Sequence, residues 1–212
     1  MSGEDGGGVR KSSPGPGMKR VICETMLEVI GDVGYLRATV DDVIARGACS
    51  RTGFYRHFAD KDECCEVAYR CEAERLVSEM LAPCESGSDW TEGLIAALRT
   101  WLDFAAEQPA RTQALLSIGQ VSEGAVAVQK QLFERLSHAL DRARRLPGSR
   151  HSAPPLTATL MIGAVENLVR GLLVSGEAAR APGLLADLTY LIVQSYFGED
   201  AAFAAMDAVG AG

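Results

Sequence analysis

Between Gly47 and Lys61 the chain reads GACSRTGFYRHFADK, which sets Ser50, Arg51, Thr52, Tyr55, His57 and Lys61 around two phenylalanines. These side chains are hydrogen-bond donors rather than nucleophile–base pairs. An arginine can give two parallel hydrogen bonds to guanine N7 and O6. Serine, threonine, tyrosine, histidine and lysine donate readily to phosphate oxygens, and most such contacts position a protein rather than specify a base. Phe54 and Phe58 stand four residues apart, so both fall on one helical face and leave the donors for the other. The chemistry expected here is recognition of a polyanion. No H-E-x-x-H, G-x-x-x-x-G-K-[ST] or G-x-S-x-G occurs, and no carboxylate pair stands beside a histidine, so no enzyme is expected. His57, His138 and His151 are scattered and no C-x-x-C is present, so neither a metal nor a cofactor is expected.

Short elements must hold these donors in place. Thr39 is suited to cap a helix whose first turn contains Asp41 and Asp42 and whose apolar face is Val40, Val43 and Ile44. Gly47 stops that helix, and Ser50 can cap the next one. Two short helices about a tight turn, within TVDDVIARGACSRTGFYRHFADKDE (residues 39–63), make a helix-turn-helix. In that motif the N-terminal residues of the second helix face base edges. Ser50, Arg51 and Thr52 are therefore the candidates for base or phosphate contact. Gly53 removes a side chain where the backbone would approach DNA, and Tyr55 and His57 follow with donors for phosphate. Thr39 and Lys61 open the flanking helices, where backbone N–H groups and the helix dipole attract phosphate.

The register of Thr39, Val40, Asp42, Val43, Ser50, Phe54, Tyr55, His57, Phe58, Lys61, Asp62 and Glu63 resembles the DNA-binding head of TetR-family transcriptional regulators over residues 18–65. Three departures stand out. Arg46-Gly47 replaces the usual Ala-Gly, Ala48-Cys49 follows in place of Val, and Cys64-Cys65 takes the place of a common leucine pair. The cysteines occupy apolar packing positions and are expected in the core. The resemblance implies a C-terminal body that binds a small molecule and dimerises. It also implies a cytoplasmic repressor, released by its effector from a pseudo-palindromic double-stranded operator.

The remaining chain agrees with an all-α reading of about nine helices. Residues 1–17 are rich in Gly, Ser and Pro and read as a disordered arm, with Arg10 and Lys11 near its end. The head follows over 18–65, a helical ligand-binding and dimerisation domain over 66–198, and a tail over 199–212. Breakers predict helices from Lys61 to before Pro83, then over Trp90–Glu107, 110–123, 125–146, 155–175 and 182–197. No apolar run approaches a membrane span, and no export signal is seen, so a cytoplasmic location is expected.

The net charge of −7 is uneven. Residues 1–61 hold nine Lys and Arg against eight Asp and Glu, whereas the rest holds twelve against twenty. Such asymmetry suits a nucleic-acid-facing head on an acidic body. Residues 156–176 and 184–197 are apolar on more than one face and are expected to form a symmetric dimer interface. Trp101, Phe104 and Leu115, with Met161, Glu166 and Asn167 opposite, are the candidate lining of a ligand cavity. Arg142, Arg144 and Arg145 read as a solvated face. All six cysteines lie in the first 84 residues, and a thiol-based, redox-responsive regulator of the same fold is the alternative function.

Overall fold

Gly34 and Gly47 punctuate the N-terminal third, each with a positive φ (86° and 77°) that ends a helix at little steric cost. The first helix, α1 (Pro16–Val33), stops just before Gly34; α2 (Val40–Ala45) stops just before Arg46 and Gly47; α3 is Arg51–Tyr55. Long α4 (Lys61–Glu85) follows, then α5 (Trp90–Glu107), α6 (Pro109–Ile118) and α7 (Glu123–Asp141). The chain closes with α8 (Thr157–Val174), α9 (Leu185–Phe197) and α10 (Glu199–Gly210). This computed structural model describes residues 16–85, 89–119, 122–150 and 153–210, and among these no strand occurs. Of the expected N-terminal arm, only Pro16 and Gly17 are described, as the start of α1; Arg10 and Lys11 lie outside the described residues.

The caps explain the short helices. The Thr39 hydroxyl accepts from the Asp42 amide at 3.2 Å, and the Asp42 carboxylate accepts from the Thr39 amide at 2.9 Å, a reciprocal capping box. The Ser50 hydroxyl accepts from the Gly53 amide at 3.1 Å. Five and six residues form no stable helix alone, so packing must hold α2 and α3. Ile22, Met26 and Ile30 of α1, Val43 of α2, and Phe54, Phe58 and Cys64 below α3 are all buried.

Several boundaries differ from the sequence expectation. Helix α4 runs through Pro83 to Glu85; the proline gives up one ladder N–H there, and the helix continues only to Glu85 beyond it. Helix α6 ends at Ile118, since Ser122 caps a new helix and places Glu123 in the first turn of α7. Pro182 lies inside a 3-10 segment, Ala178–Leu184, before α9 starts. The expected tail holds α10, which packs on α9 through Tyr190 and Phe203, ring centroids 5.0 Å apart. Residues 65 and 66, where a domain boundary was expected, sit inside one uninterrupted helix.

Two charged groups serve packing. The Arg144 guanidinium donates to the carbonyls of Ala153 (2.6 Å) and Pro154 (2.7 Å) and pairs with Asp141 at 2.7 Å, while Arg142 donates to the Cys84 carbonyl at 3.0 Å. The solvated-face reading of this cluster thus fails for Arg144, which is half-buried, while Arg142 and Arg145 are exposed. On α4 and α6, half-buried Arg111 and buried Glu72 meet at 2.5 Å. Arg75 joins the same carboxylate at 2.9 Å, and both guanidiniums lie over the Phe104 ring.

Helix α8 is an exception to the expectation about apolar runs. Its 18 residues have a mean hydropathy of 1.3, long and apolar enough by those measures to cross a membrane. Only one side of it is covered: Ala158, Ile162, Val165 and Val169 are buried, whereas Leu160, Gly163, Ala164, Leu168 and Gly171 are exposed.

Candidate nucleic-acid interface and body cavity

The outer surface of α3 is polar and its inner surface is Phe54, fully buried, with Phe58 at 5.6 Å between ring centroids. Ser50, Arg51, Thr52 and Tyr55 are exposed. The Ser50 hydroxyl uses a lone pair on the Gly53 amide and keeps its proton for a phosphate or base. Arg51 pairs with Asp41 across the turn, at the surface. A Cβ on Gly53 would stand 3.3 Å from the Ser50 Oγ and 3.4 Å from the Cys49 Cβ. Glycine there leaves room for the cap, a reason independent of any approach to DNA.

The remaining candidates are more occupied. Thr39 spends both its amide and its hydroxyl proton on Asp42, and these bonds hold the Asp42 carboxyl below the usual carboxylate range. The Lys61 ammonium donates to the Tyr35 carbonyl at 3.1 Å and sits 4.5 Å from the centroid of that ring. It clamps the α1–α2 connection to the start of α4. The first turn of α4 is itself capped: Asp60 accepts from the Glu63 amide at 2.8 Å, and Glu63 accepts from the Ala59 amide at 2.6 Å. His57 is half-buried with its Nε2 shielded and unpartnered among the described residues, so that nitrogen reaches a phosphate only after the ring turns.

The sequence marks Arg46 only as a departure from the family pattern and does not single out Arg56. Arg46 caps α2 and returns to Asp32 of α1 at 2.6 Å, which explains a large charged residue where a small one is usual. Arg56 is exposed beside α3 and has no ion pair among the described residues. Its position within the donor-rich stretch was the available signal.

Behind the head, residues of α4 to α9 line a half-open cavity of about 160 Å³. Trp101, Leu115 and Met161 line it. Phe104 does not; it faces an outer polar cleft between α1, α4, α5 and α6. Asn167 is exposed on the far face of α8, and Glu166, one residue earlier, lines the cavity instead. Successive helical residues are about 100° apart, so a single position decides inside from outside. Tyr69 and Gln129 also line it and had no periodic signal to reveal them.

The head and body touch where α1 crosses α6. A Cβ on Gly31 would run into the backbone carbonyl of Ala110, so glycine is what allows the two helices to meet. The cysteines are free and mostly internal: Cys23, Cys64 and Cys65 are buried, Cys49 is half-buried and Cys71 is exposed. Burial pushes the Cys65 thiol up to about 12. A hydrogen bond from the Cys64 thiol instead draws the Cys23 thiol below its usual value, against the effect of burial.

A capped helix-turn-helix on a helix that continues into an all-helical, hollow body defines a DNA-binding regulator. Residues 22–68 match the family model described as bacterial regulatory proteins, tetR family. That match makes the head of the chain a TetR-family DNA-binding domain. No curated protein matches the sequence significantly. Among solved structures, the fatty acid degradation regulator FadR from Bacillus halodurans superposes with a TM-score of 0.72 at 14% identity, covering 82% of this chain and 96% of that one. SmeT, repressor of the Stenotrophomonas maltophilia multidrug efflux pump SmeDEF, gives 0.68 at 19% identity, covering 84% and 89%. A TetR-like regulator from Rhodococcus sp. RHA1 gives 0.65 at 22% identity, covering 84% and 96%. At these identities the likeness concerns the fold.

Proposed function

We infer that the chain is a cytoplasmic, homodimeric repressor that leaves a pseudo-palindromic operator when a small molecule fills the body cavity. One observation carries this reading: α4 serves both regions. Its first turns, with Cys64 and Cys65, support α1 and α3, while Tyr69, Leu76, Met80 and Cys84 further along wall the cavity. A ligand that favours one setting of that helix changes the head by its differential affinity for the two settings. SmeT has a described complex with triclosan, and the Bacillus subtilis FadR one with stearoyl-CoA, which supports a small-molecule effector for this chain. The exposed apolar strip on α8, with Leu191 exposed on α9, supports pairing with a second copy; α10 covers part of α9 and narrows the interface expected there.

Toward DNA, Arg51 reads bases after leaving Asp41, and Ser50, Thr52 and Tyr55 contact bases or phosphates beside it. Thr39, Gly53, His57 and Lys61 shape and support that surface. Selection of random double-stranded DNA on the reduced full-length protein, followed by sequencing, tests the reading. An inverted repeat is expected; recovery of unrelated sequences with only salt-sensitive binding would sink it.

A thiol switch is the second reading, favoured by the hydrogen-bonded Cys23–Cys64 pair between α1 and α4 and by Cys23 and Cys71 opening onto the outer cleft. A peroxide would take two electrons and two protons from a thiol pair, leaving a disulfide and water. Operator binding that peroxide abolishes, dithiothreitol restores and Cys23→Ser renders indifferent supports it, whereas an indifferent wild type ends it.

A further inference from the structure

Most of the cavity wall is hydrocarbon, from residues such as Leu76, Leu94, Leu98 and Leu132. Beside the end of α6, however, polar groups from three helices converge: Tyr69 of α4, Gln129 of α7 and Glu166 of α8. The Tyr69 hydroxyl and the Gln129 amide each come to 2.9 Å from where a Cβ on Gly119 would stand. Glu166 is near enough to Tyr69 to raise its pKa, although burial is the larger cause. Burial also raises the pKa of Glu166 itself, opposed only partly by Arg170. Arg170 is engaged elsewhere, donating to the Leu116 carbonyl at 3.0 Å. Among the described residues no ion pair reaches the Glu166 carboxylate.

We propose that the cavity takes a nitrogen base: a compact, mostly apolar molecule whose protonated amine pairs with Glu166. The proposal rests on reading the body as an effector site and adds the chemistry of the effector. The volume of about 160 Å³ is close to that of a cavity that holds benzene, roughly 150 Å³, so one ring with a short arm is the scale. An ammonium brings three N–H donors, and the polar end offers three acceptors in the Glu166 carboxylate, the Tyr69 oxygen and the Gln129 carbonyl. A charge pair gains more in this low-dielectric setting than in water. A carboxylate ligand would meet Glu166 as a like charge. A plain hydrocarbon would fill the space while leaving the polar end unpaired, which is costly once water is displaced.

Three probes of matched shape test this on reduced full-length protein: 2-phenylethylamine, n-propylbenzene and 3-phenylpropanoate. Binding is read by thermal shift and by tryptophan emission, since both tryptophans of the chain, Trp90 and Trp101, line the cavity. The amine is expected to bind wild type at least about ten-fold more tightly than the other two. Glu166→Gln should remove most of that advantage while keeping propylbenzene binding, which also shows that the variant is folded. Tighter or equal binding of the hydrocarbon or the anion to wild type overturns the proposal. So does failure of all three to bind, or undiminished amine binding by Glu166→Gln. Release of the selected operator is read separately: an amine that binds through Glu166 yet leaves the DNA complex intact refutes the effector role and upholds the assigned chemistry.

Discussion

The surface of the head, His57 apart, and the cavity of the body treat their polar groups in opposite ways. In the head, Thr39 is closed on Asp42, Arg51 on Asp41, Arg46 on Asp32, and Lys61 on Tyr35. In the body cavity, Glu166 has no ion pair among the described residues and the Trp101 Nε1 is buried without a hydrogen-bond partner. The head thus arrives with its short helices already fixed, and binding a polyanion exchanges surface partners that water can replace. The cavity holds groups that only a ligand or water can satisfy. A surface built for a large, charged partner can be self-satisfied when free; a site built for a small molecule gains discrimination by leaving its groups unspent.

The largest expected effect on this contrast comes from Phe54→Ala. Removing a fully buried aromatic from under α3 should cost about 3–5 kcal/mol and abolish operator binding, measured by thermal unfolding and by DNA titration. Gly31→Ala is next. Its methyl meets backbone, which cannot rotate away, so overpacking of about 1–3 kcal/mol is expected, together with operator affinity that no longer responds to effector in a binding-competition assay. Arg51→Ala should cost about 1–3 kcal/mol at the preferred site and relax base preference there. Lys61→Ala, by contrast, should weaken all sequences alike. A uniform loss for both would remove Arg51 from base reading.

Glu166→Gln sharpens the body side of the comparison. Burial raises the carboxyl pKa in the folded state above the ordinary value of 4.5, with Arg170 opposing and the neighbouring Tyr69 neutral. A raised folded-state pKa means that the contribution of Glu166 to stability is full below the unfolded pKa and is lost as pH rises through the folded one. The glutamine variant should therefore melt higher than wild type near pH 8, and the gap should close below about pH 4.5. An unchanged gap across that range would show that Glu166 is not desolvated. The smallest effect is expected from Asp41→Asn, which frees Arg51 and should raise operator affinity a few-fold at most, as surface ion pairs are weak.

Much of the head was legible because caps and turn residues act locally. Thr39, Ser50, Gly34 and Gly47 set their boundaries through neighbours three or four residues away, and Phe54 and Phe58 declare their face by spacing. The engagement of Arg51 and Lys61 was not legible, since Asp41 and Tyr35 lie ten and twenty-six positions away and nothing in the pattern singles them out. The cavity was half legible. A helical stripe suggested Trp101, Phe104 and Leu115, of which Phe104 faces the outer cleft, and the choice between Glu166 and Asn167 opposite it depends on where α4 and α7 lie around α8, which is tertiary information. The prolines misled in one direction only. Pro83 and Pro182 were read as helix limits, yet one sits in the last turn of α4 and the other in a 3-10 segment before α9.

The continuity of α4 also has a mechanical meaning. A helix of 25 residues is about 37 Å long, a lever with the cavity along one arm and the recognition elements at the tip. Tilting it by about 5° moves the tip by about 3 Å, and two such tilts, related by the two-fold axis of the proposed dimer, would alter the separation of the heads by up to about twice that. Successive major grooves on one face of DNA repeat at about 34–36 Å, so a mismatch of several ångströms is a sizeable fraction of a groove width. On the proposed reading, release from an operator would need no unfolding and no new contact: angular play too small to disturb the packing of either end would be enough to spoil the fit of both.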